Sequence, residues 1–158
     1  MQKYKDVFKY IYFCEMDNKI KESKKLIEIK FKLISSQHIT INAKVNNQKG
    51  LFILDTGASN TCVGLHVLDY FNMQVSDEIN KAAGAGNSNM RAQISENNVL
   101  QIGKYKLKTD IMVLDLQHVN DALAQCYAKP IHGIIGTDVF LKTKAIINYK
   151  INTLFLEK

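Results

Sequence analysis

The sequence predicts a mostly β domain, a small barrel-like or sandwich fold with one or two short helices. Three observations carry this. Apolar residues alternate with polar ones through "LIEIKFKL" (Leu26 to Leu33) and "ITINAKV" (Ile39 to Val45). Turn clusters such as "NNQKG" (Asn46 to Gly50) separate the strand-like runs. Helical spacing is confined to one stretch after Asp115 and one short segment near Asp138. Period-two alternation bounded by Gly and Asn is the signature of half-buried strands.

The elements follow in order. Residues 1–25 are expected to form an N-terminal extension and residues 26–158 one domain; Met16 is a second candidate start. The aromatic patch Tyr10 to Phe13 is short and has no small-residue cleavage site after it, which argues against a secretory signal. After two alternating strands, "LFIL" (Leu51 to Leu54) reads as a more buried strand ending in Asp55-Thr56-Gly57. "GLHVLDYF" (Gly64 to Phe71) fits either a short helix or an irregular loop. Small residues from Asn80 to Gln93 suit the tip of a long hairpin. Two strands joined at Gly103-Lys104 span Asn98 to Leu114. Leu116, Val119, Ala122, Leu123, Cys126 and Tyr127 then recur at helical spacing, with Asp115 as a candidate cap and Pro130 as the expected terminator. The remainder reads as a strand to Ile135, a glycine corner, a short helix over Asp138 to Leu141, and a hairpin turning near Lys150 to Thr153.

Composition narrows the function. With 46% hydrophobic and 23% charged residues the chain is globular rather than disordered, and no apolar run approaches the ~20 residues of a membrane span. The net charge of +6 raises the question of nucleic acid. Against that, Lys30 and Lys32, and Lys104, Lys106 and Lys108, alternate with apolar residues as on the wet face of a strand, and Arg91 is the only arginine. No nucleic-acid partner is expected. Three scattered cysteines, Cys14, Cys62 and Cys126, form no C-x-x-C pair and fit free thiols in a reducing, cytoplasmic setting. Cys62 and His66 would stack on a helix, but no second ligand pair accompanies them, so a core cysteine and an incidental histidine are expected and no metal. "GAGNSN" matches no phosphate-binding pattern, and no cofactor is expected.

Chemistry concentrates at Asp55, a carboxylate at the end of an apolar strand, where it is costly unless used. Asp-Thr-Gly is also an ordinary turn triplet. Its flanks sharpen the reading: Ala58-Ser59 leads out, and a second apolar run later ends in glycine at Ile134-Ile135-Gly136.

"LFILDTGAS" followed by "GIIGTDVF" resembles the retropepsin-like aspartic proteases, the single-domain relatives of pepsin. The resemblance covers roughly Ile27 to Lys158 and implies an acid-protease β-barrel with one lobe per chain. It implies that Asp55 is catalytic, with Thr56 and Gly57 completing the triplet. Ile134 and Gly136 would form the structural element crossing behind it, and Ala58, Ile135 and a flap at Gly84, Ala85, Gly86 and Asn87 would meet substrate. Ala58 where pepsin-like enzymes usually carry serine implies activity at milder acidity. The helix around Leu116 to Tyr127 is extra relative to compact retroviral proteases. His132 is expected to be a polar residue near a turn.

Peptide hydrolysis without a metal needs one group to take a proton from water and another to give one to the leaving nitrogen. Two carboxylates sharing a proton do both. The chain has one D-T-G; Asp69, Asp77, Asp110, Asp115, Asp121 and Asp138 lack that setting. If the family's chemistry holds, the second carboxylate is Asp55 of another copy, so the resemblance implies a homodimeric endopeptidase acting on peptide or protein. The competing expectation is a catalytically weak or inactive peptide-binding or dimerisation module of the same fold.

Overall fold

The computed structural model describes residues 26–76, 80–84 and 87–158, the side chains of residues 80–84 and 87–91 excepted. The N-terminal extension and the hairpin-tip residues Ala85 and Gly86 lie outside the described residues. Among the described residues eleven strands run in chain order: β1 (Leu26–Lys30), β2 (Lys32–Leu33), β3 (Ile39–Val45), β4 (Gln48–Leu54), β5 (Cys62–Gly64), β6 (Asn80–Gly84), β7 (Asn87–Ile102), β8 (Tyr105–Leu114), β9 (Gly133–Ile135), β10 (Ile146–Asn148) and β11 (Thr153–Glu157). Among the described residues two helices, α1 (Gln117–Gln125) and α2 (Thr137–Lys142), precede and follow β9. Mostly β with two short helices is the fold class the patterning predicts.

Local chemistry sets the hairpins. Asn46 and Asn47, both at positive φ (49° and 72°), form the two-residue turn between β3 and β4. Asparagine tolerates that conformation, and it matches the twist of the paired strands. Gly103, at φ 58°, does the same work at the first position of the β7–β8 turn. Across that turn β7 and β8 pair over most of their length, with one irregularity between Ser95 and Asn98 where Asn97 adopts φ 60°. The long hairpin is present: β6 pairs with β7 from Asn80↔Ala92 to Gly84↔Asn87.

The barrel closes through one strand. The sheet order β3-β4-β9-β5-β8-β7 returns to its start because β3 also pairs with β7 over Ala43 to Val45. Six strands thus form a ring. Closure removes the free edges that an open sheet would expose. A separate three-stranded sheet, β1-β11-β10, packs beside it, with Leu154 and Leu156 fully buried.

Two expectations change. "LIEIKFKL" is not one strand: β1 pairs with β11 in the small sheet while β2 pairs with β3 in the barrel, and the break falls at Phe31. Phe31 is buried, whereas Leu33 is exposed, so the alternation does not hold to the end of the run. Gly64 to Phe71 is a 3-10 turn at Leu65–Val67 followed by turns. Helix α1 ends before Pro130. Its terminator is Tyr127, which takes a positive φ of 55° and is almost fully exposed. The N-cap is Leu116, which makes no side-chain cap bond, and Asp115, one residue earlier than the cap, accepts the Gln117 amide at 2.9 Å.

The four apolar residues before Asp55 face two cores. Phe52 and Leu54 join the main barrel core. Ile53, on the opposite face of β4, joins a second cluster with Leu123 of α1 and Ile131, and Leu51 packs against it. A strand covered on both faces needs apolar residues at every position. Each fully buried side chain of this kind contributes roughly 1.5–3 kcal/mol.

Candidate active site

Strand β9 lies between β4 and β5 and places the site. It pairs in parallel with β4 (Phe52↔Gly133, Leu54↔Ile135) and antiparallel with β5 (Cys62↔Ile134). Close packing demands glycine at its start, since a Cβ on Gly133 would meet the Cys62 carbonyl and lie 2.7 Å from the Phe52 ring. Asp55 follows directly on β4, and its amide donates to the Ile135 carbonyl at 3.0 Å.

The loop after β4 turns tightly. The Gly57 amide donates to Asp55 Oδ1 at 2.8 Å and the Ala58 amide to the Asp55 carbonyl at 3.3 Å. A Cβ on Gly57 would stand 3.2 Å from Asp55 Oδ1, so glycine here keeps room around the carboxylate. Asp55 Oδ2 accepts no hydrogen bond from a described side chain or amide, and Thr56 and Gly57 are exposed beside it. Ala58 is half-buried.

Residues 136–138 clamp this loop from behind. Thr137 Oγ1 donates to the Thr56 carbonyl (3.1 Å), the Thr137 amide to the Ala58 carbonyl (2.8 Å), and the Asp138 amide to the Ser59 carbonyl (3.2 Å). Asp138 Oδ1 accepts both the amide and the hydroxyl of Thr61, at 2.9 and 2.8 Å. The Gly136 amide donates to Thr61 Oγ1 at 3.0 Å. A Cβ on Gly136 would sit 2.8 Å from the Ala58 carbonyl oxygen. In the sequence Asp138 lacks the D-T-G context, and nothing there marks Thr61 or Thr137. The available signal was an acid directly behind the glycine corner, beside apolar residues.

Ile134 lies in β9 and Gly136 directly follows it. Ile135 differs from expectation. Its side chain is fully buried in the barrel core and offers no surface to a ligand, while its carbonyl holds the Asp55 amide. Neighbouring residues of a strand face opposite ways, and Ile134 is the one that stays half-exposed. Gly84 and Asn87 pair with each other at the end of the β6–β7 hairpin.

Cys62 lies on β5 and His66 in the following 3-10 turn, so they do not stack on a helix. Burial pushes the Cys62 thiol up to about 12, with Asp138 and Asp55 adding to the rise against a hydrogen bond at Ile134 that lowers it. It is an inert core thiol. His132 sits at the other end of β9, where its Nδ1 accepts the Leu51 amide at 3.1 Å. Among the described residues no group of His, Cys, Asp and Glu is arranged to hold a metal. No described helix is long and apolar enough to cross a membrane.

A closed barrel with a D-T-G loop emerging beside a crossing I-I-G strand defines an acid-protease-type domain. A family model described as aspartyl protease matches residues 41–139, more than half of the chain, and the chain belongs to that family. The solved structures it is similar to share its fold. A retropepsin-like aspartic protease from Rickettsia conorii superposes with a TM-score of 0.55 at 18% identity, covering 84% of this chain and 92% of that one. EIAV protease complexed with the inhibitor HBY-793 gives 0.54 at 16% identity, covering 70% of this chain and 92% of the other. The retroviral protease-like domain of Ddi1 from Leishmania major gives 0.52 at 15% identity, with 75% and 87% covered. No protein of curated function matches the sequence.

Proposed function

We propose that the chain is an aspartic endopeptidase that works as a homodimer, with a water molecule activated between two Asp55 carboxylates. The observation that carries this reading is the state of Asp55. One carboxylate oxygen is fixed by the Gly57 amide, and the other has no described partner. Three other described carboxylates are engaged elsewhere: Asp138 on Thr61, Asp110 on the Asn97 amide, Asp115 on the Gln117 amide. A single carboxylate cannot act as base and acid in the same step, so a second copy supplies the partner.

In this mechanism the ionised Asp55 takes a proton from water as the oxygen attacks the peptide carbonyl carbon. The protonated Asp55 of the other copy hydrogen-bonds the carbonyl oxygen. Collapse of the tetrahedral species breaks the C–N bond, and a carboxyl proton goes to the leaving nitrogen. The pair titrates as a unit. An extended peptide would lie as an added strand beneath the β6–β7 hairpins, near Ala58. With no tryptophan in that hairpin, backbone hydrogen bonds would supply most of the grip. The natural setting proposed is the reducing cytoplasm, in keeping with unpaired Cys62 and Cys126.

The test is turnover of a peptide library by wild type and Asp55→Asn between about pH 3 and 8, with sedimentation under the same conditions. Cleavage by wild type alone, from a dimer, is expected. Equal turnover by both proteins, or activity from a strict monomer, would overturn the mechanism; no turnover by either would favour the binding module.

A further inference from the structure

We propose that Asp138 is the positioning residue of the Asp55 loop. Through Thr61 its carboxylate fixes the path of residues 55–61 against β9 and α2, and so sets where the Asp55 carboxylate stands. The inference rests on reading Asp55 as the catalytic group.

The loop from Asp55 to Thr61 has no ladder partner of its own. What holds it is the segment 135–138, bond by bond: the Ile135 carbonyl takes the Asp55 amide, and Thr137 and Asp138 serve the carbonyls of Thr56, Ala58 and Ser59. Thr61 closes the far end. It is 1% exposed, and its hydroxyl has one proton, which goes to Asp138. That leaves the oxygen to accept the Gly136 amide. The direction of this chain, Gly136 amide to Thr61 hydroxyl to Asp138 carboxylate, is therefore fixed.

Within this network Asp138 supplies the one carboxylate behind the loop. Hydrogen bonds to an ionised acceptor are stronger and shorter than neutral ones. Asp138 takes two of them from a single residue, one to the backbone and one to the side chain, which leaves Thr61 no rotational freedom. Thr61 also reaches the barrel wall, its carbonyl accepting the Met112 amide at 3.0 Å. The loop is thus tied to β8 and β9 together, and both attachments converge on Thr61.

Three variants test this: Asp138→Ala removes the acceptor, Asp138→Asn keeps an oxygen for Thr61 without the charge, and Thr61→Val removes the hydroxyl. Amide exchange is read at Asp55, Thr61 and Gly136 and compared with Leu154 and Leu156 of β11. In Asp138→Ala and Thr61→Val the loop amides should exchange at least about tenfold faster while β11 is unchanged. Asp138→Asn should restore most of the protection. On a cleaved peptide, kcat should fall by about a hundredfold in Asp138→Ala with KM little changed, and recover in Asp138→Asn. Loop exchange that rises no more than that of β11 would overturn the proposal, as would Asp138→Asn behaving like Asp138→Ala. Should Asp138→Ala fail to fold, Thr61→Val carries the same comparison. If wild type cleaves nothing, the enzymatic reading fails, and the exchange measurement still decides whether Asp138 positions the loop.

Discussion

The amide of Leu51 donates to Nδ1 of His132 across 3.1 Å, while the His132 amide returns a bond of 2.8 Å to the Leu51 carbonyl. This reciprocal pair joins the start of β9 to β4, the strand that ends in Asp55. It works only while Nδ1 is an acceptor, so the ring must be neutral with its proton on Nε2. Tyr70 and Phe71 lie against the ring, at centroid distances of 6.0 and 5.9 Å.

Acid should therefore weaken the fold through His132. Burial, with the nearby His66 adding, holds its pKa below the ordinary 6.5, and the Leu51 backbone only partly offsets this. Between the folded value and 6.5 the unfolded chain binds a proton that the folded chain does not, so stability rises with pH. The contribution is full above 6.5 and is lost as the pH falls from there through the folded value. Melting curves from pH 7 to 5 should show a falling Tm, and His132→Asn, whose Oδ1 can accept the Leu51 amide, should flatten that slope. An unchanged slope would assign the acid loss to other groups.

Asp55 should behave as half of a site in mixing experiments. When an equal amount of Asp55→Asn is exchanged into a fixed amount of wild type, about half of the original activity should survive, because only dimers with two wild-type copies keep both carboxylates. Activity that stays constant on mixing would show that each Asp55 acts alone.

Gly133 should tolerate no side chain. An added methyl meets the Cys62 carbonyl and the ring of Phe52, neither of which has space to yield within the barrel. Gly133→Ala should lose at least ~1–3 kcal/mol of stability, the usual cost of overpacking, and lower the urea midpoint at unchanged slope.

The thiols should divide by location. Cys126 is exposed at the end of α1, while Cys62 is buried with its thiol pushed up to about 12. Iodoacetamide at neutral pH should modify Cys126 in the native protein and reach Cys62 only after denaturation. Modification of native Cys62 at a comparable rate would mean that β5 opens readily.

The sequence by itself determined the local elements and the location of the candidate chemistry. Asn46-Asn47 and Gly103-Lys104 specify their hairpins because few residues tolerate positive φ. The run Leu51 to Leu54 announces a strand buried on both faces, and Asp55 at its end marks a carboxylate in need of a use. Gly136 signals a corner. Tertiary structure decided the rest, since it depends on contacts distant in the chain. Whether Ile134 or Ile135 is buried follows from which face of β9 meets the core, and spacing alone does not fix that. The division of Leu26 to Leu33 between two sheets depends on β11, more than a hundred residues later. In the sequence Asp138 is an acid outside the D-T-G setting at the start of a short helix; the fold brings Thr61 to it across 77 positions. A carboxylate's partners are set by where the backbone returns, and only the closed barrel determines that.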